Sequence, residues 1–298
     1  MILTLDEKKI RKGKPIGLPY QGSKKKISKK IVEIIKQNFG TDKPIYDIFG
    51  GGGAITAECV LNSLKVYYND LDKTITDMFQ RVINQDSEWI KTLIVSREDF
   101  YTIKEKQEKS VDDDLKLLVN SFGNNRKDYL YSAKWSGMKY NLAIEIIDKH
   151  DVFSGYKQTD TYKNAIRQYD EGKLEKNKVL EQLERLQQLE HLQQLEQLQQ
   201  LEQLESTSLN YENFSDVKDS ILYLDPPYQG TKNDYKFEFD SLIFYDWVYK
   251  MAKNNIVLIS SYDISDDRFE EVYSFDKARS TLQGGSSNGK CEKLFMIK

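Results

Sequence analysis

Tyr46-Asp47-Ile48-Phe49-Gly50-Gly51-Gly52-Gly53-Ala54-Ile55 decides the fold. A short apolar strand ends in four consecutive glycines and runs directly into the helix-like stretch 54–64, so backbone can approach a ligand closely at the strand's end. A second strand over 65–69 then delivers Asp70, 23 positions after Asp47. An acid at that distance beyond a glycine-rich strand-helix turn is placed to bind ribose hydroxyls. The spacing differs from the G-x-G-x-x-G of dinucleotide enzymes and no pyrophosphate-binding pattern follows, which points to a nucleoside without phosphates.

Outward from this block the chain alternates strand and helix. Ile31, Ile34, Ile35 and Phe39 fall at helical spacing over 28–39, with Ser28 as the expected N-cap. Strand 45–49, helix 54–64, strand 65–69 and helix 74–83 then follow the rhythm of a parallel α/β sheet. Further on come a helix at 242–252, a strand at 256–260, and segments 269–275 and 290–297, which suit a terminal hairpin.

The second informative block is Leu224-Asp225-Pro226-Pro227-Tyr228, directly behind the apolar run Ile221 to Leu224. Two prolines fix φ near −65° and remove backbone donors, so carbonyls there are held away from a sheet ladder. Asp225 and the Pro226 carbonyl can accept hydrogen bonds from an exocyclic amine while Tyr228 stacks on the flat ring that carries it. The glycine turn, Asp70 and this block all fall at expected carboxyl ends of strands, where open α/β sheets bind their ligands.

Taken together, these blocks resemble a Dam-type DNA adenine-N6 methyltransferase, in which the cofactor motifs precede the DPPY motif. Pro19-Tyr20-Gln21-Gly22-Ser23-Lys24 is similar to the family's aromatic-x-G-x-K segment; Asp47 to Gly53 with Asn69-Asp70-Leu71-Asp72, and Leu224 to Tyr228, supply the other two blocks in the family's order. The likeness is good over 17–72 and 206–298 and weaker between them, and Ile48 stands where the family usually has proline.

The resemblance implies a Rossmann-like α/β sheet that binds S-adenosylmethionine (SAM), and methyl transfer to adenine N6 in double-stranded DNA by base flipping. It assigns Tyr20, Lys24, Asp47, Phe49, Gly51, Gly53, Asp70 and Asp225 to the cofactor. Asp225, Pro226, Pro227 and Tyr228 go to the target base. Phe49 reads equally well as core packing. The implied chemistry needs no metal, and the implied setting is restriction-modification, regulation or phage defence.

The catalytic domain is expected over 1–95 and 206–298, with a mainly helical target-recognition region inserted over 96–205. Phe122 to Lys127 and Lys134 to Tyr140 mix amides, basic groups and aromatics, types that read base edges and grip phosphates. Leucine then occupies every third position from Leu180 to Leu204. At about 100° per residue each step falls about 60° short of a turn, so the leucines wind around a helix and form no heptad seam. The 180–205 repeat therefore reads as a low-complexity spacer, with a homodimer helix as the other reading.

Charge and composition fit an intracellular enzyme on DNA. The net charge is −3, yet residues 1–36 hold eleven Lys or Arg against three acids, and phosphate attraction follows the local field. That arm reads either as a solvated tail or as a DNA contact. Two distant cysteines, Cys59 and Cys291, make no disulfide framework or zinc site and suit a reducing cytoplasm. No run approaches membrane-spanning length. Two rival readings are methylation of another amine (cytosine N4, RNA adenine, protein glutamine), against which Asp225 argues, and a non-catalytic DNA-binding or assembly protein.

Overall fold

The computed structural model describes residues 2–20, 22–171, 185–201, 204–227, 239–275 and 291–298. The chain forms two compact units. One comprises 1–15, 24–76 and 204–298, the other 16–23 and 77–203. The division falls at 76/77, earlier than the boundary at 95 expected from the sequence, and assigns 16–23 to the second unit.

The first unit is built on a seven-stranded sheet: β1 (Ile45–Asp47), β2 (Val66–Asn69), β3 (Ser206–Thr207), β4 (Ile221–Leu224), β5 (Ile256–Ser261), β6 (Phe269–Ser274) and β7 (Lys293–Ile297). Their spatial order is β3-β2-β1-β4-β5-β7-β6. The first five strands in that order are parallel, and β7 inserts antiparallel between β5 and β6. The order reverses between β1 and β4, which pair Ile45 with Ile221 and Asp47 with Tyr223. That reversal is the switch point beside which such sheets hold ligands.

Burial on both faces explains the unbroken apolar run of β4. Ile221 and Tyr223 pack with Ile31, Ile35, Ile45, Ile55 and Cys59 on one face. Leu222 and Leu224 pack on the other, against Ile48, Phe244 and Val248. The helix Ser28–Phe39 supplies the first face through Ile31, Val32, Ile34 and Ile35. Ser28 is not its N-cap: Ile27 takes that position, and the Ser28 hydroxyl donates back to the Lys25 carbonyl at 3.3 Å. A single 3-10 turn, Lys24–Lys26, leads into the helix and competes with an ordinary cap.

The basic arm is no loose tail. The Leu3 amide donates to the Val272 carbonyl at 2.9 Å, Asn38 brackets Thr4, and the Gln37 side chain accepts from the Asp6 amide at 2.8 Å. Arg11 forms a two-pronged pair with Glu58, both contacts at 2.8 Å, and Glu58 is itself buried.

The second unit is helical: Ser87–Lys91, Arg97–Glu105, Val111–Val119, Ala133–Lys149, Asp160–Glu171 and Gln187–Leu198. Asp86, Ser96 and Ser110 cap three of these through their side chains, Ser110 in a full capping box with Asp113.

The last helix overturns the spacer reading. Leu186, Leu189, Leu192, Leu195, Leu198 and Leu201 are all buried. A winding row of leucines makes a helix apolar on every side, and such a helix belongs in the middle of a core. Polar groups between the leucines also face inward: His191 Nδ1 lies 2.6 Å from the Val119 carbonyl, Gln193 donates to the Val152 carbonyl at 2.6 Å, and Gln188 bonds Asn120. These six leucines are spent inside the unit and offer no dimer seam. Leu180, Leu183 and the residues at 202–203 lie outside the described residues, and Leu204 opens the return to the first unit.

Candidate active site

Three acids converge at the carboxyl edge of the sheet, on the two sides of the switch point. Asp47 ends β1, Asp70 follows β2 and Asp225 follows β4. The turn between β1 and the helix Ala54–Leu61 is held by the Gly50 amide on the Asn69 carbonyl at 2.9 Å and the Gly53 amide on the Gly50 carbonyl at 2.8 Å. Gly51 and Gly53 have φ of 49° and 70°, a region that side chains disfavour. Gly50 is required for another reason: a Cβ there would overlap the Tyr68 ring.

Asp70 is clamped by backbone. Its Oδ2 accepts from the Gly51 amide and its Oδ1 from the Asp72 amide, both at 2.8 Å. Each oxygen retains acceptor capacity for a hydroxyl. Burial outweighs these bonds and pushes its pKa up to about 6. Asp47 is deeper. Its Oδ2 accepts from the Thr56 amide at 3.1 Å and the Thr56 hydroxyl at 2.6 Å, while its Oδ1 is buried without a hydrogen-bond partner. Desolvation, with smaller contributions from Asp225 and Asp70, raises its pKa to about 7.

Lys24 meets the third acid. Its Nζ lies 2.6 Å from Asp225 Oδ2 and 3.6 Å from Glu292 Oε1, and Glu292 accepts from the Ser260 hydroxyl at 2.8 Å. Pro226 is buried and Pro227 half-buried; Tyr228 lies outside the described residues. Phe49 packs in an aromatic wall, stacked on Tyr211 at 6.1 Å and edge-on to Phe244 at 5.6 Å. Tyr20 belongs to the second unit.

Thr56 and Glu292 were not singled out by the sequence, and Asn69 was quoted in a motif but given no role. The Asn69 amide ties the ends of three strands, donating to the Ile48 and Leu209 carbonyls at 2.9 Å and accepting from Thr207 at 2.8 Å. Asn69 could have been suspected from its place just before Asp70. Glu292 carries no local signal, because only the antiparallel return of β7 brings it to Lys24.

The family model for the D12 class of N6 adenine-specific DNA methyltransferases matches residues 20–246, which includes all three acids and Lys24. The chain belongs to this family. A D12 class enzyme methylates adenine N6 in DNA with SAM as donor. No curated protein matches the chain. Among solved structures it is similar to the rRNA methyltransferase aviRa from Streptomyces viridochromogenes, with 9% identity, a TM-score of 0.35, and coverage of 91% of this chain and 84% of that one.

The D12 site suits its donor chemically. SAM carries a sulfonium, an ammonium and a ribose diol, and three clustered acids whose ionised forms are mutually unfavourable gain most from such a cation. Asp47 Oδ1, buried without a hydrogen-bond partner, is an acceptor that such a ligand could use.

In the second unit, much of the expected base-reading chemistry is turned inward. Residues 120–130 form a hairpin, with the Leu130 amide on the Asn120 carbonyl and the Phe122 amide on the Asp128 carbonyl, both at 2.8 Å. Asn124 donates to the Leu118 carbonyl at 3.1 Å, Asn125 holds the Lys127 and Asp128 amides, and Arg126 pairs with Asp114 at 3.4 Å. Lys139 is buried over the Tyr131 ring, 4.3 Å from its centroid. Phe122, Lys127 and Lys134 remain exposed.

The described residues contain no group of metal-ligating side chains and no helix long and apolar enough to cross a membrane.

Proposed function

We propose that Asp225 and the Pro226 carbonyl accept the N6 hydrogens of a flipped adenine stacked on Tyr228, while Asp70, Asp47 and the Gly51–Gly53 turn hold the donor. In support, Asp225 stands at the end of β4 across the switch point from Asp47 and Asp70.

Adenine N6 is a poor nucleophile because its lone pair is delocalised into the ring. Fixed acceptors stabilise the amine as it pyramidalises and gains positive charge, which is preorganised electrostatic assistance to the transition state. A stacked base cannot enter such a pocket, so the adenine leaves the duplex. When bound, SAM supplies the electrophilic methyl group. Lys24 holds the Asp225 carboxylate in place between turnovers, and Asp70 orients sugar hydroxyls from backbone-clamped oxygens. Tyr20 and Lys24 carry the cofactor-side segment by resemblance, and Phe49 acts through packing on Tyr211.

The second unit is the target-recognition region in this reading, supported by exposed Phe122 and Lys127 on the hairpin and exposed Lys134 at the start of the helix Ala133–Lys149. The enzyme is site-specific, acts on double-stranded DNA and works in the cytoplasm.

The test is transfer of a labelled methyl group to DNA by Asp225→Ala, alongside SAM binding by calorimetry. The reading expects transfer to fall by at least about a hundredfold with the donor still bound. Near-normal transfer removes Asp225 from the chemistry.

A further inference from the structure

The stapled N-terminal arm places a group of lysines beside the site, and the site's residues do not use them. The arm lies along the helix Ser28–Phe39 in the opposite direction: Thr4 meets Asn38, Asp6 meets Gln37, Glu7 meets Lys30 at 2.5 Å, and the Gly13 carbonyl accepts from Lys29 at 2.9 Å. Arg11 fastens the turn at 12–14. Besides its fork on Glu58, its guanidinium donates to the Lys12 carbonyl at 2.8 Å and the Lys14 carbonyl at 3.1 Å. Gly13 closes that turn at φ +100°, with the Arg11 guanidinium packed against it.

The staple changes the local charge. Glu58 is neutralised by Arg11 and Glu7 by Lys30. Lys8, Lys9, Lys12, Lys14 and Lys26 are exposed and have no carboxylate partner among the described residues. Lys26 lies two residues past Lys24, whose amine touches Asp225, and Lys29 lies within the first turn of the following helix. The patch therefore begins at the edge where the strands β1 and β4 end.

We propose that the turn at Lys12–Lys14, with Lys26 and Lys29, is a sequence-independent grip on the phosphate backbone of the substrate duplex, prearranged by the Arg11–Glu58 fork. Substrate DNA follows from the family; that the grip flanks the flipped base rests on the reading of Asp225 given above. Fixing the turn in the free protein lowers the ordering entropy that a flexible lysine tail would lose on binding. Phosphate contacts of this kind set register and affinity without reading bases.

The experiment measures binding of a random-sequence duplex over a range of salt concentrations by fluorescence anisotropy. Removing one phosphate-bound cation lowers the slope of log affinity against log salt by about 0.9. Lys12→Ala with Lys14→Ala is expected to lower the slope by about 2, while SAM affinity is unchanged. Lys12→Arg with Lys14→Arg is expected to restore it.

The control pair is Lys250→Ala with Lys253→Ala, exposed near the end of the helix Ser241–Met251 that is remote from the Asp225 loop. A wild-type slope in the Lys12/Lys14 variant overturns the proposal, and so does an equal drop in the control. Asp225→Ala should keep the wild-type slope. A failure of the pocket reading therefore registers in transfer and a failure of the grip in salt dependence.

Discussion

Lys24 Nζ reaches Asp225 Oδ2 at 2.6 Å, joining the residue that opens the approach to the first helix to the one that closes β4, some 200 positions later in the chain. The contact gives the acid-rich edge its one described lysine-carboxylate pair with Asp225. Removing it should hurt activity by releasing the Asp225 carboxylate from the position in which the amine holds it. Lys24→Met is expected to lower the rate of methyl transfer by at least about tenfold, measured with labelled donor and DNA. A near-normal rate would show that the contact does not position Asp225 for the reaction.

The buried acids tie stability to pH. Burial raises Asp47 to about 7 and Asp70 to about 6, from ordinary values near 4. Over that window the unfolded chain has released protons that the native state still holds, so ligand-free stability declines as pH rises from about 4 to about 7. Asp47→Asn should flatten the decline in melting temperature; parallel curves for variant and wild type would refute this account.

Binding should run the other way. A cationic donor favours the ionised acids, so SAM affinity is expected to improve with rising pH and binding near neutrality to release protons. Calorimetry in two buffers of different ionisation enthalpy measures the release directly, and Asp70→Ala should reduce both affinity and release.

Gly50→Ala tests the turn. The added methyl meets the fully buried Tyr68 ring, which cannot withdraw because its hydroxyl donates to the Gly51 carbonyl at 2.7 Å. We expect a loss of about 1–3 kcal/mol together with weakened SAM binding, measured by denaturant unfolding and calorimetry. A neutral substitution would show that the turn can shift.

Leu192→Ala tests the central helix. A spacer would tolerate it, whereas a buried leucine truncated to alanine costs about 2–5 kcal/mol. Chemical denaturation of the full chain separates the two outcomes.

The strands and the carboxyl edge at which Asp47, Asp70 and Asp225 gather were legible because they rest on local patterns: the apolar runs at 45–49, 65–69 and 221–224 each ended in a turn or a break. Observed boundaries differ by a few residues, as with β1 ending at Asp47 where a strand to Phe49 was expected. Less legible were features set by distant partners. Arg11 looked like one more charge in a basic tail, and only Glu58 makes it a staple. Asn124, Asn125 and Arg126 had the composition of a base-reading loop, but the hairpin uses them to hold itself. Period-three leucine does wind around its helix, yet it is no spacer, because a row covering all sides has no apolar stripe from which to infer a partner.

That row also bears on how the helix Gln187–Leu198 finds its place. Sliding it by one triplet, about 4.5 Å along its axis with about 60° of rotation, drops each leucine into its neighbour's seat. Hydrophobic packing is nearly blind to such a slip. The address is written instead in side chains that do not repeat, Gln188 against Asn120 and His191 against the Val119 carbonyl. Exchanging those two should leave an equally greasy helix that no longer knows which notch it occupies.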